Sequence, residues 1–314
     1  MFSFEDMEKF ALVARLGSMR RAADSTGEAV SAISRHIARL EQAFGATLFE
    51  RRANGVVLTP AGDMFLDMAR GVMQQMADLE LRLAQNDPGG AGIINIHSVE
   101  GVTKEFLIPL IAAFRTEFPE TSVHLVAAGR NVVLTAIEDY AADIGFVYDH
   151  FSNPGVETVA RWQQPLLAFA RPGHPLLSGP ISLAELMATD CALPDKTFGI
   201  RRLVDAAYEN RGRRVAPALF ANQLQALIHA AIESDLITFM PLQAARFEVE
   251  HGLLVPIDTG LREFDYRFVS VVVHKGRPRS RQVEALLAKI LAGIAPAIEA
   301  DRKLLQSVPS YRCS

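Results

Sequence analysis

The 314-residue chain reads as a multidomain α/β protein: an N-terminal winged helix-turn-helix, a long linker helix, and a two-lobed α/β region. Three observations predict this. Between Ser18 and Phe44 two short helical segments flank a glycine, and the second carries a strict apolar stripe. A second stripe at alternating steps of three and four runs from Phe65 to Leu83. From Gly92 onward strand-like and helix-like runs alternate, which is the pattern of βαβ units.

Taken in order, Ser3 is a good N-cap with Glu5 and Asp6 in the first turn, so a helix is expected to start there. Phe4, Met7, Phe10, Ala11 and Ala14 form its expected buried stripe, and Gly17 ends it in the left-handed conformation. Ser18 caps the second helix, where Ala22 and Ala23 allow close approach to a neighbour. Ser25 and Glu28 have capping-box spacing, which would begin the third helix early. Gly27 between them argues for a turn instead, so the third helix is placed from Glu28 or Ala29 to about Phe44, where Gly45 stops it. On it Val30, Ile33, Ile37, Leu40 and Phe44 share one face, and Ser31, Ser34, Arg35 and Ala38 the other. A helix that packs by one side and offers short side chains and one cation on the other suits the DNA major groove.

Thr47 to Phe49 and Val56 to Leu58 read as two short strands with Arg51 to Gly55 as the tip, a wing carrying Arg51, Arg52 and Asn54. Thr59 before Pro60 is an N-cap with proline at the first helical position, and this helix continues to about Gln85. Phe65, Ala69, Val72, Met76, Leu79 and Leu83 follow the rhythm of a coiled-coil seam. The plain alternative packs this helix on its own globule. The linker-like Asn86-Asp87-Pro88-Gly89-Gly90 that follows leaves it little of its own chain to cover, and so favours dimerisation through Phe65, Val72, Met76, Leu79 and Leu83.

In the α/β region, strands are expected near 93–97, 122–127 and 143–147, with helices near 102–118 and 131–141. A second unit over roughly 165–260 carries strands near 166–170, 191–193, 218–220 and 236–239, and a strand near 268–273 and a helix from about Ser280 finish the chain. Two such lobes predict a cleft, with ligands at the carboxyl ends of the strands. A net charge of −4 argues against a protein that coats nucleic acid non-specifically, but between Arg15 and Pro60 seven arginines face four acids (Asp24, Glu28, Glu41 and Glu50). Two cysteines are too few for a disulfide scaffold and fit a reducing cytoplasm. The start MFSFEDMEKF has acids where a signal peptide needs lysines, and no run of eighteen apolar residues reads as a membrane span. The eight histidines show no metal spacing, and no GxSxG, P-loop or GxGxxG motif stands between a strand and a helix, so no catalytic residue, metal ligand or cofactor is assigned.

The N-terminal ninety residues resemble the LysR-type transcriptional regulators. The resemblance rests on Phe10-x-x-Val13-Ala14, Gly17-Ser18, Ala22-Ala23, Ile33-Ser34-Arg35-x-Ile37-x-x-Leu40-Glu41, Gly45, Leu48-Phe49-Glu50-Arg51 and Leu58-Thr59-x-Ala61-Gly62. The rest is similar to the family's effector-binding region through Pro109, Phe114, Pro119, Asp143-Ile144-Gly145-Phe146 and Gly173-His174-Pro175-Leu176. The resemblance implies a periplasmic-binding-protein-like effector domain, homodimers that usually assemble to tetramers, double-stranded promoter DNA with dyad symmetry as partner, a small-molecule co-inducer, and contact with RNA polymerase. It divides the chain into a DNA-binding domain over 1–58, a linker and dimerisation helix with hinge over 59–91, and an effector domain over 92–314. Lobe I of the latter takes about 92–163 and 267–300, and lobe II about 164–266. Members commonly open the recognition helix with Ser-Gln-Pro, where this chain has Ala29-Val30-Ser31, and the usual turn leucine is Thr26.

On this reading Ser31, Ser34 and Arg35 are expected to touch bases or phosphates, and Arg20, Arg21, Arg51, Arg52 and Asn54 to set register on the backbone. For the effector, the N–H groups of Ser98-Val99-Glu100-Gly101 would suit an anion, but the Glu100 charge favours an amine or hydroxyl donor. The resemblance adds Arg130, Asn131, Tyr148, Pro194 and Phe198 to the cleft; the plain alternatives make Ser98 a helix cap and Phe198 core. Some relatives sense peroxide through a cysteine pair, but Cys191, at a strand start and distant in sequence from Cys313, reads as buried and inert. A transport solute-binding protein would need a leader in place of the helix-turn-helix, and an α/β enzyme would need a nucleophile or metal constellation.

Overall fold

The computed structural model describes residues 2–52, 55–84, 92–148, 153–309 and 311–313, without the side chains of 74, 75, 77–84, 311 and 312. It forms two compact units, 1–90 and 91–314.

In the first unit the helices are α1 (Phe4–Leu16), α2 (Met19–Thr26) and α3 (Val30–Phe44). Ser3 and Asp6 form a reciprocal capping box at the start of α1. Gly17 ends α1 at φ 64° and Gly27 ends α2 at φ 70°, a left-handed backbone that a Cβ would strain. The hydroxyls of Ser25 and Thr26 donate back to the Ala22 carbonyl and Glu28 pairs with Lys9, so no capping box forms there and α3 starts after Ala29. Two strands, β1 (Phe49–Arg52) and β2 (Gly55–Leu58), make the wing, and α4 (Pro60–Ala84) follows. Thr59 accepts the Gly62 N–H at 3.0 Å and donates to the Thr47 carbonyl at 2.7 Å, tying the start of α4 to the wing.

The core holds Phe10, Val13, Ile33, Ile37, Leu40 and Leu48, with Phe10 4.8 Å from both the Phe49 and the Phe65 ring. Three stripe residues depart from expectation: Phe4, Val30 and Phe44 are exposed, because the stripe outruns the small core at its ends. Phe44 still meets the Phe2 and Phe65 rings at 5.1 Å. Arg51 and Arg52 also shift. They lie within β1, where Arg52 pairs with Gly55, rather than beyond the end of the strand.

The second unit opens with β3 (Ile93–Ser98), a 3-10 turn and a π turn over Glu100–Leu107, α5 (Ile108–Glu117), β4 (Ser122–Ala127), α6 (Arg130–Glu138), β5 (Ile144–Tyr148) and β6 (Val156–Gln163). There follow β7 (Leu166–Ala170), α7 (Leu183–Leu186), β8 (Cys191–Pro194), α8 (Gly199–Glu209), β9 (Leu219–Ala221), α9 (Leu224–Glu233) and β10 (Ile237–Pro241). The chain ends with α10 (Arg246–Glu250), β11 (Val255–Asp258), α11 (Arg262–Asp265), β12 (Phe268–His274), α12 (Arg281–Ser307) and β13 (Tyr311–Arg312).

One sheet has the order β4-β3-β5-β12-β6, with β4, β3 and β5 parallel and β12 antiparallel to both of its neighbours, β5 and β6. The other has the order β13-β11-β7-β10-β8-β9. Its β8 is parallel to both β9 and β10, as a βαβ unit requires, but β7 runs antiparallel to β10 and β11. The expectation of a simple βαβ repeat in this lobe is therefore corrected to a mixed sheet, because β7 enters from the other lobe rather than from a helix. Two strands cross between the lobes side by side, with the Gln164 N–H donating to the Arg267 carbonyl at 2.8 Å. Helix α12, about 40 Å long by its 27 residues, buries Leu286 and Ile290 in the first lobe's core and Leu304 in the second's. Pro296 breaks its hydrogen-bond ladder between the two.

Candidate functional site

Two regions carry the chemistry expected of the sequence. On α3, Ile33, Ile37 and Leu40 face the core, while Ser31, Arg35 and Ala38 are exposed and Ser34 is half-buried. Arg20, Arg21, Arg51 and Arg52 are exposed on α2 and β1. Arg21 donates to the Leu16 carbonyl at 3.2 Å, and Arg52 sits 3.4 Å from Glu50, a screened surface pair of little energetic weight. Asn54 lies outside the described residues.

The sequence did not flag the groups that hold α3 in place. Asp6, 1% exposed on α1, has one carboxylate oxygen 2.7 Å from both His36 Nδ1 and Arg39 Nη2, while the other accepts the Ser3 N–H. Burial pushes the Asp6 carboxyl up, but Ser3, His36 and Arg39 together outweigh it and hold it below the usual range. At the other end of α3 the Glu41 carboxylate accepts the N–H groups of Leu48 and Phe49 at 2.8 and 3.3 Å, which fixes β1 against the helix.

On α4, Phe65 is withdrawn from the expected seam. It is buried with Ala69 in the unit's own core, because its ring completes the aromatic cluster around Phe10. Val72 and Met76 are exposed at 38% and 44%. With Met64 and Met68, also exposed, they form an apolar row at steps of four along the helix, which keeps Val72 and Met76 of the expected stripe and has Met64 and Met68 in place of the buried Phe65 and Ala69. The side chains of Leu79 and Leu83, and the linker 86–90, lie outside the described residues.

The second region is a cavity of about 50 Å³ in the 91–314 unit, at the carboxyl ends of β3, β4 and β5 and the N-terminal ends of α8 and α9. One lobe contributes Val99, Glu100, Gly101, Arg130 and Tyr148, and the other Thr197, Phe198, Ile200, Arg202 and Leu224. Gly101 lets the backbone approach Tyr148 closely: a Cβ there would stand 2.6 Å from the Tyr148 hydroxyl, so a larger residue would require that side chain to shift. Of the expected residues, Glu100, Gly101, Arg130, Tyr148 and Phe198 line this space. Ser98 is fully buried and donates to the Val99 carbonyl, Asn131 is exposed, and Pro194 is buried in β8; these three stand outside the lining. Arg202 and Leu224 were missed because nothing local in the sequence shows that the starts of α8 and α9 converge on the end of β3.

The Glu100 carboxylate accepts the Leu224 N–H at 3.0 Å across the cavity. Burial pushes this carboxyl up, opposed by the N–H groups of Leu224 and Gln225. One of its two oxygens is thus already engaged by a backbone donor of the facing lobe. Lys104 adds a second bridge between the lobes, 3.2 Å from the buried Glu248. Among the described residues no group of three or more His, Cys, Asp or Glu could hold a metal ion, and no helix is long and apolar enough to cross a membrane.

Comparison with known proteins places this geometry. Residues 4–63 match the model for the bacterial regulatory helix-turn-helix proteins of the lysR family, and residues 87–295 that for the LysR substrate binding domain. The chain is 26% identical over 258 residues to the RuBisCO operon transcriptional regulator of Allochromatium vinosum, covering 82% of this chain and 85% of that one. It is 25% identical over 252 residues to the uncharacterized HTH-type transcriptional regulator YeiE of Escherichia coli K12, with 80% and 85% covered. The solved structure of an OxyR mutant from Corynebacterium glutamicum shares the fold at a TM-score of 0.58, with 17% identity, over 100% of this chain and 98% of that one. With both family models spanning the two units, the chain belongs to the LysR family and is a DNA-binding transcriptional regulator rather than an enzyme.

Proposed function

We propose that this regulator acts in the cytoplasm as a homodimer or homotetramer on a dyad-symmetric promoter site, with occupancy of the interlobe cavity controlling its action there. The division into a DNA-binding domain over 1–58, a dimerisation helix and hinge over 59–91 and an effector domain over 92–314 goes with this reading. Ser31, Ser34 and Arg35 enter the major groove, and Arg20, Arg21, Arg51, Arg52 and Asn54 set the register. Val72, Met76 and the outer face of α4, with Leu79 and Leu83 further along, pair two chains so that their recognition helices reach successive grooves roughly 34–36 Å apart. A ligand held by Glu100, Gly101, Arg130, Tyr148 and Phe198 shifts the lobes and with them the spacing of the DNA-binding pairs, altering DNA bending and contact with RNA polymerase.

The observation that carries this is the division of α3 into a buried apolar face and an exposed face of Ser31, Arg35 and Ala38, beside four exposed arginines on α2 and β1. The test is a gel shift with the promoter of a neighbouring gene, comparing wild type with Arg35→Ala. Loss of the sequence-specific band supports the reading. Unchanged affinity and base preference in the variant would remove Arg35 from the reading set.

A further inference from the structure

We infer that the interlobe cavity takes a small organic anion, a carboxylate on a short hydrocarbon chain, whose charge is met by Arg202 and Arg130. This rests on reading the cavity as the effector site.

The first support is the charge of the wall. Among the described residues two arginines and one acid line it, and the acid, Glu100, is already engaged by the Leu224 N–H at 3.0 Å. An ammonium entering here would face two guanidiniums and would have to share a carboxylate that is already hydrogen-bonded. A carboxylate meets the opposite situation, since arginine's planar fork matches its two oxygens.

The second support is the contrast between adjacent arginines on α8. Arg201 points away from solvent and is matched by Asp205 at 2.8 Å, an ordinary structural ion pair. Arg202, one residue on, lines the cavity, is exposed, and has no acidic partner among the described residues. The helix thus spends one cation on the fold and leaves the next at the cavity.

The third support is size and polarity. Val99, Phe198, Ile200 and Leu224 make the rest of the wall largely apolar, and about 50 Å³ leaves room for a body of only a few carbon atoms. Thr197 and the Tyr148 hydroxyl supply the remaining polar groups.

Thermal unfolding of the full-length protein with butanoate, butanamide and butylamine at constant ionic strength tests this, since the three probes differ in charge at nearly constant shape. Butanoate at about a hundred times its Kd should raise Tm by roughly 5–10 °C, with the amide weaker and the amine without effect. Arg202→Gln should weaken butanoate binding about tenfold and Arg202→Lys should restore part of it. Arg202 is exposed, so its variants keep the wild-type Tm without ligand. An amine shift as large as the carboxylate shift, no carboxylate shift, or a butanoate response undiminished in Arg202→Gln would each overturn the inference. A promoter gel shift on the same samples separates this from the regulatory reading. Stabilisation and altered DNA binding by the amine would overturn the ligand class alone, whereas failure to bind promoter DNA would overturn the proposed function and leave the butanoate result standing.

Discussion

Glu100 and Leu224 stand 124 residues apart in sequence and are joined across the cleft, the carboxylate accepting the backbone N–H at 3.0 Å. The bond leaves from the irregular turns before α5 and lands on the first turn of α9, where unpaired N–H groups attract a negative charge. Burial raises the Glu100 pKa, so the folded state holds its proton more tightly than the unfolded chain does. The associated stability is present below the ordinary glutamate range and is lost as pH rises through the raised value. Glu100→Gln keeps an acceptor for Leu224 without a buried charge. Its Tm at neutral pH should therefore equal or exceed that of wild type, with the difference closing under acid. Glu100→Ala, which removes the acceptor, should lose about 1 kcal/mol. A Tm of Glu100→Gln below that of Glu100→Ala would contradict this.

Asp301 gives a sharper pH signature. On α12 it lies 3.1 Å from Arg246 and 3.4 Å from the amide of the crossing residue Gln164. Burial pushes its carboxyl from 3.8 to about 6, against the pull of Arg246. The raised value means that stability is greatest below pH 3.8 and falls as pH rises through about 6, by roughly 3 kcal/mol for this group alone. Asp301→Asn should flatten the Tm profile across that window, as read by calorimetry from pH 4 to 8. An unchanged profile would show that the carboxyl titrates normally.

Gly62 is fixed by close packing of α4 on the wing. A Cβ there would stand 2.1 Å from the Leu48 carbonyl oxygen and 3.0 Å from its carbon, both backbone atoms that cannot rotate away. Gly62→Ala should destabilise the 1–90 unit by about 1–3 kcal/mol or more and weaken DNA binding with it. Chemical denaturation of the full-length variant would show an early transition, and a single wild-type-like curve would refute the contact.

Arg35 can meet either a guanine edge or a phosphate, and the two give different readouts. A base contact predicts a loss of about 1–3 kcal/mol for Arg35→Ala with relaxed preference at one position. A phosphate contact predicts a weakening that is uniform across sequences and a salt slope reduced by about one. Fluorescence anisotropy on a set of single-base variants at two salt concentrations distinguishes them.

Cys191 should be chemically quiet. Burial pushes its thiol up to about 12, so almost no thiolate exists near neutrality. It also lies in β8, four strand positions from β13 and the adjoining Cys313, or roughly 19 Å at the usual strand spacing, far beyond disulfide reach. Iodoacetamide at pH 8 should label Cys191 only after unfolding, as mass spectrometry would show. Rapid labelling in the folded protein would restore a redox role.

Local signals were strong enough to read most elements. The capping residues Ser3, Ser18 and Thr59, the left-handed Gly17 and Gly45, and the parallel strands β3, β4 and β5 all follow from short-range chemistry. The strands β6 and β11 were not legible. β6 alternates irregularly around a bulge opposite Val271 and Val272, and β11 is only four residues long, so neither carries a clear period of two.

The sequence by itself determined the kind of protein and its parts, because helix periodicity, caps and turn glycines act over a few residues and the motif series from Phe10 to Gly62 is local. Only the tertiary structure decided which residues share a site. Phe65 turned inward because the Phe10 cluster needed its ring, and Arg202 and Leu224 reached the cavity because two lobes fold against each other. Glu100 became a bridge between them for the same reason. Those outcomes depend on contacts between residues distant in the chain, which no local pattern encodes.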